Sequence, residues 1–137
     1  MLDVELVSPE KILFTGQASF VRARTIGGGE IAFLTGHAPF IGALDICVVK
    51  IIDDGGTEQL VAVHGGFVEV SDDRVTILSD VAELADEIDV ARAEQARTQG
   101  ESDLRNNPDD EEAQAALKRA EIRIEAATSV PASSARH

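Results

Sequence analysis

The sequence predicts a β sandwich of about ten strands followed by a C-terminal antiparallel α-helical hairpin. Three observations predict it. Ten of the 11 glycines and all five phenylalanines precede residue 88. The same stretch breaks into short β-branched runs separated by turn residues, as layered or closed antiparallel sheets do. Beyond it, Ala, Glu and Arg dominate and glycine occurs once, at Gly100. The chain therefore divides into a β-sandwich domain over residues 1–87 and a helical hairpin over residues 88–137, ending in a short disordered tail around Pro131-Ala132-Ser133-Ser134.

The strands follow in order. Leu2-Asp3-Val4-Glu5-Leu6 alternates apolar and polar residues, so one face is buried. Ser8-Pro9-Glu10 stops that strand, and residues 11–15 and 19–25 form two more, split by Gly16. Gly27-Gly28-Gly29 turns the chain, and residues 30–34 resume a strand. Residues 35–40 read as a loop, with Gly36 and Pro39, and residues 46–52 are strongly β-branched. Asp53-Asp54-Gly55-Gly56 is a hairpin signal, because these residues tolerate positive φ. Residues 59–64 and 67–70 flank Gly65-Gly66, and Ser71-Asp72-Asp73 leads into a strand over 74–78.

The tail reads as two helices. Ala93, Ala96, Gly100 and Leu104 share a face of the first, and Asn106-Asn107-Pro108 ends it. Asn107 is expected to cap the second helix, with Pro108 at its first position and Asp109, Asp110 and Glu111 in its first turn. Ala113, Leu117, Ala120, Ile124 and Ala127 then form a seam at alternating spacings of four and three. Most of that seam is alanine. Burial yields roughly 25 cal/mol per Å² of apolar area, so the hairpin is only marginally stable on its own and could open. Periodicity alone favours the plainer reading, a small hairpin docked permanently on the sandwich.

Composition excludes several functions. The chain carries 12 Lys+Arg against 25 Asp+Glu, a net charge of −13. Such a chain repels phosphate backbones, and it lacks Trp and Tyr for base stacking. One cysteine, Cys47, makes no internal disulfide and no cysteine zinc site. The longest uncharged run, 14 residues over 31–44, is too short and too broken by Gly and Pro to span a bilayer. No basic start and apolar run announces a signal peptide, so a cytosolic protein is expected. The charge is uneven: residues 1–87 hold 5 basic against 15 acidic side chains, and residues 88–137 hold 7 against 10.

Catalytic motifs are missing. The three glycines at 27–29 lack the Gly-Lys-Ser/Thr of a phosphate loop, and neither Gly-x-Ser-x-Gly nor His-Glu-x-x-His occurs. His37 and His64 have no partner at metal-binding spacing and read as structural. The pairs Asp53-Asp54 and Asp72-Asp73 read as turns. Cys47 reads as a buried small hydrophobe. The residues thus favour a non-catalytic binding or structural protein with no metal.

Several passages then line up in order: Leu6-Val7-Ser8-Pro9-Glu10, Gly36-His37-Ala38-Pro39-Phe40, Gly65-Gly66-Phe67-Val68-Glu69-Val70, Val75-Thr76-Ile77-Leu78, Ala82-Glu83-Leu84 and Ile88-Asp89-Val90-Ala91-Arg92-Ala93. This ordered set resembles the epsilon subunit of bacterial F-type ATP synthases over about residues 2–127. The resemblance implies a central-stalk (rotor) subunit, peripheral on the cytoplasmic face of the cell membrane, that couples ATP synthesis to proton flow. It implies contacts with the gamma subunit and the ring of c subunits. It implies a hairpin that either folds on the sandwich or extends into the alpha/beta head and inhibits ATP hydrolysis. Gly29, Glu30 and His37 match the loops that meet the c ring. Glu83, Ile88, Asp89, Arg92 and Ala93 match the ATP-binding signature, with Arg119 and Arg123 able to contribute from the second helix. No cofactor is required. Gln99 stands where ATP-binding members carry a further arginine, so the implied ATP is regulatory and weak. The acidic sandwich would meet basic partner surfaces. Another class remains open: a free-standing β-sandwich adaptor or ligand sensor with the same fold.

Overall fold

The computed structural model describes residues 1–129. The tail expected from Pro131 onward lies outside the described residues. Seven strands, a 3-10 turn and two helices follow in order: β1 (Leu2–Val7), β2 (Ile12–Thr25), β3 (Gly29–Phe33), β4 (Phe40–Asp53), β5 (Glu58–Ser71), β6 (Arg74–Leu78), β7 (Ala82–Leu84), the 3-10 turn Ala85–Glu87, α1 (Val90–Asn106) and α2 (Glu111–Thr128).

The β domain precedes the helical pair, as expected, but it has seven strands rather than about ten. The difference comes from glycines that bend strands without ending them. Gly16 sits inside the 14-residue β2, and Gly65 and Gly66 sit inside the 14-residue β5. β4 also begins earlier than expected, at Phe40, and runs through Gly42. Each long strand serves two layers. The start of β2 pairs with β1, and its later half with β3 and β4. The start of β5 pairs with β7 and its end with β6, while β4 accompanies both halves. β1 then closes the sheet by pairing antiparallel with β2 and parallel with β6. Closure leaves no long open edge between those strands.

The interior is the alternation of β1 made solid. Leu2, Val4 and Leu6 point in and meet Val21, Phe33, Val49, Ile51, Val61, Val63, Val68 and Ile77. Gly66 shows why a glycine is required at the bend. A Cβ there would lie 2.1 Å from the Leu78 carbonyl oxygen, at a φ of +133°. The turn at 72–73 uses two aspartates with φ of 51° and 59°, a region that Asp tolerates. At the β4–β5 turn, Asp53 Oδ1 accepts the amides of Gly55 and Thr57 at 3.0 and 2.9 Å.

One stretch breaks the strand alternation. Leu60, Val61, Ala62 and Val63 are all buried. Val61 and Val63 face the interior, whereas Ala62 faces outward and joins a second small cluster with Ile88 and Ala126, flanked by Val48 and Ile122. α2 therefore lies on the outer face of β4 and β5. α1 packs chiefly on α2, so the hairpin is docked by one helix. The two helices approach closely at Gly100: a Cβ there would lie 3.1 Å from Leu117 Cβ.

The start of α2 differs from expectation. Asp110, not Asn107, caps it, accepting the Ala113 amide at 3.0 Å. Asn107 instead closes a turn, accepting the Asp109 amide at 3.3 Å on its side chain and the Asp110 amide at 3.2 Å on its carbonyl. Pro108 thus falls in that turn rather than in the helix. Ala127, assigned to the seam, packs against the cluster on the sandwich face.

Candidate functional site at the sandwich–hairpin junction

The chain leaves β7 through the 3-10 turn, and Asp89 starts α1 by accepting the Arg92 amide at 3.1 Å. This sharp entry brings the start of α1 beside β7, under α2. The resulting cleft, of about 410 Å³, is lined by Glu83, Glu87, Ile88, Asp89, Arg92, Ala93, Ala96 and Arg123. Small-molecule sites run from roughly 300 to 1,000 Å³. Six of the seven residues expected of the ATP signature therefore share one cleft. The seventh, Arg119, pairs with Glu112 at 2.9 Å and does not line it. Gln99 bonds Asp103 at 2.8 Å along its own helix.

Charge in the cleft is divided. Arg123 Nε donates to Glu83 Oε1 at 2.6 Å, and His64 Nε2 lies 2.9 Å from the same oxygen. Burial works against the Glu83 charge, yet the hydrogen bonds from Arg123 and His64 outweigh it and hold the carboxyl below its usual range. Burial pushes His64 below its ordinary value, reinforced by the nearby Arg123 and Arg119 charges and opposed by Glu83. The two directions are consistent: Glu83 is ionised, and Arg123 rather than an imidazolium balances it. Glu87 pairs with Lys11 at 3.2 Å. The Arg92 guanidinium makes no ion pair or hydrogen bond among the described residues, so it is the cleft's uncommitted cation.

His64 is the residue that sequence reasoning missed here. A histidine before Gly65-Gly66 carries no signal of Glu83, which lies on a strand of three residues. Only the β5–β7 ladder, with Ala62 opposite Glu83, brings them together.

At the β2–β3 turn, Gly29 takes a φ of +74°, and the Thr25 hydroxyl donates to its carbonyl at 3.1 Å. The Glu30 carboxylate is shared by Arg22 and Arg24, each at 3.3 Å. His37 stacks edge-on to Phe33, ring centres 5.0 Å apart, and lies near Phe40. Beyond these loops the outer sheet face exposes Ile41, Phe67 and Leu78; Phe67 and Leu78 are direct ladder partners. Among the described residues, no cluster of His, Cys, Asp and Glu could hold a metal, and no helix is long and apolar enough to cross a membrane.

A closed β sandwich carrying a helical hairpin, with an ionic cleft at their junction, defines the class: a two-part protein of sandwich and hairpin. Comparison with known proteins narrows this class. Residues 1–85 match the family described as ATP synthase, Delta/Epsilon chain, beta-sandwich domain. Residues 86–128 match its long alpha-helix domain. The chain belongs to the ATP synthase delta/epsilon chain family. It is 41% identical to the ATP synthase epsilon chain of Streptomyces griseus, over 91% of this chain and 94% of that one. With the epsilon chain of Brevibacillus brevis the identity is 44%, over 75% and 77%. The fold matches a chain of the Euglena gracilis mitochondrial ATP synthase OSCP/F1/c-ring structure at a TM-score of 0.67 and 23% identity, covering 90% of this chain and 75% of that one. A chain of the Tetrahymena thermophila mitochondrial ATP synthase central stalk/c-ring structure matches at 0.54 and 18%, covering 93% and 96%.

Proposed function

We propose that the chain is the non-catalytic epsilon subunit of a proton-translocating rotary ATP synthase, held in its central stalk at the cytoplasmic face of the membrane. The observation that carries this is the family match across both the sandwich and the hairpin. The sandwich joins the gamma subunit, and the turn around Gly29, Glu30 and His37 meets the c ring. The exposed Ile41, Phe67 and Leu78 supply an apolar seat for gamma, as contiguous exposed apolar residues do at protein interfaces. Co-purification tests the assignment: tagged protein expressed in its own cells brings down gamma and the catalytic subunits, and recovery without them refutes it.

The hairpin, in this reading, brakes ATP hydrolysis when it extends into the alpha/beta head. Its support is physical. α1 packs chiefly on α2, and α2 meets the sandwich through a small alanine-rich cluster and a few ion pairs. Deleting residues 88–137 leaves a sandwich that still joins the complex, and hydrolysis by membranes rises; unchanged hydrolysis removes the brake. The cleft would hold regulatory ATP, with Arg92 meeting phosphate. Glu83, Glu87 and Asp89 face the same space, which keeps that affinity weak. Calorimetric titration with Arg92→Ala as the control decides the point, since equal binding by the variant takes Arg92 out of the site.

A further inference from the structure

The contact that joins α2 to the sandwich at the cleft runs through a buried histidine. His64 shares the outer face of β5 with Ala62, the residue on which α2 rests. Its side chain is only 3% exposed. Its Nε2 and the Arg123 Nε converge on one Glu83 oxygen, from β5 and α2 respectively. An ionised carboxylate only accepts, so Nε2 carries the ring proton. Nδ1 is then a bare, buried lone pair, and it has no partner among the described residues. The charged groups around the ring are Glu83 of β7 and Arg123 and Arg119 of α2. From β4 its ladder partner is the apolar Ile46.

We propose that His64, Glu83 and Arg123 form a latch that holds the hairpin on the sandwich without nucleotide, and that charging of His64 in acid releases it. Arg123 alone is a partly exposed ion pair, of the kind that contributes little. His64 changes that by fixing the Glu83 rotamer toward α2. Protonation would place a second N–H, on Nδ1, in a buried position without an acceptor, and a positive charge beside two arginines. Undocking α2 uncovers the β5 face and returns the ring to water. The docked state thus disfavours the charged ring. The latch is fully present above the ordinary histidine value of about 6.5 and weakens as pH falls below it.

The inference rests on the reading that the hairpin leaves the sandwich, and it is tested on the full chain by hydrogen exchange of α2 amides, corrected for intrinsic exchange chemistry. His64→Ala raises α2 exchange about tenfold while β1 and β4 stay protected. Arg123→Gln does the same. The double variant opens no faster than the faster single one, because both act through Glu83. Lowering the pH from about 7.5 to about 5.5 raises α2 exchange in the native chain. His64→Gln, whose amide can donate to Glu83 without titrating, keeps its protection at both pH values. Unchanged α2 protection in His64→Ala overturns the latch. So does an acid response that survives in His64→Gln, which decides the matter even if the alanine variant unfolds. If deletion of the hairpin leaves hydrolysis unchanged while His64→Ala still frees α2, the brake falls and the latch stands. The opposite pair of results removes the latch and keeps the brake.

Discussion

At the scale of single residues, position in the fold assigns roles that residue type leaves open. Asp89 caps α1, so Asp89→Ala costs about 1 kcal/mol of stability. Asp89→Ser keeps a capping oxygen and removes the charge. Thermal unfolding of both variants, beside ATP titration, separates cap from ligand: the serine variant unfolds like the native chain, and any affinity it loses is ligand chemistry. Gly66→Ala has no such room. Its Cβ would meet the Leu78 carbonyl at a φ that disfavours side chains, so a loss of about 3 kcal/mol or more is expected in urea unfolding. The anchoring carboxylates carry a second pH dependence. Burial opposes the Asp45 charge, but hydrogen bonds from Lys118 and the Ile46 amide hold its carboxyl low, as Arg123 and His64 hold Glu83. Both therefore contribute stability above about pH 4.3 that is lost as pH falls further. That step lies below the histidine window and is removed by Glu83→Gln with Asp45→Asn.

At the scale of elements, α2 is the hinge of the design and α1 its passenger. α2 touches both the sheet and α1, whereas α1 depends on α2 at the Gly100–Leu117 crossing. Glycine inside a helix weakens it by roughly 1 kcal/mol against alanine, so the crossing trades helix stability for close approach. Gly100→Leu forces the helices apart: α1 amides exchange faster while the sheet stays protected, and equal α1 protection would show that the contact is dispensable. The elements also show what pattern can convey. The alternation of β1 and the acid-rich start of α2 were legible in the sequence. The continuity of β2 and β5 was not. A glycine that breaks a strand and one that bends it look alike until the ladder across it is known.

At the scale of the whole molecule, two faces divide the work. The later half of β4 and the first half of β5 hold the hairpin, and the outer face bearing Ile41, Phe67 and Leu78 is bare. Phe67→Asp places a charge on that bare face without touching the interior. It therefore leaves the unfolding temperature near the native value and reduces recovery of gamma in co-purification; full recovery would place the gamma seat elsewhere. The candidate cleft was half legible. Glu83, Ile88, Asp89, Arg92 and Ala93 lie within eleven residues, so local spacing exposes them. Arg123 needed the hairpin to fold back, and His64 needed the β5–β7 ladder. The sequence by itself determined the order of sheet before helices, the acidic sandwich and the family. These depend on composition, short-range spacing and ordered motifs. The tertiary structure alone decided which arginine reaches the cleft, how the sheet closes, and that His64 and Arg123 share one carboxylate oxygen. Those facts join residues 19 and 40 positions from Glu83, and only packing specifies contacts at that separation.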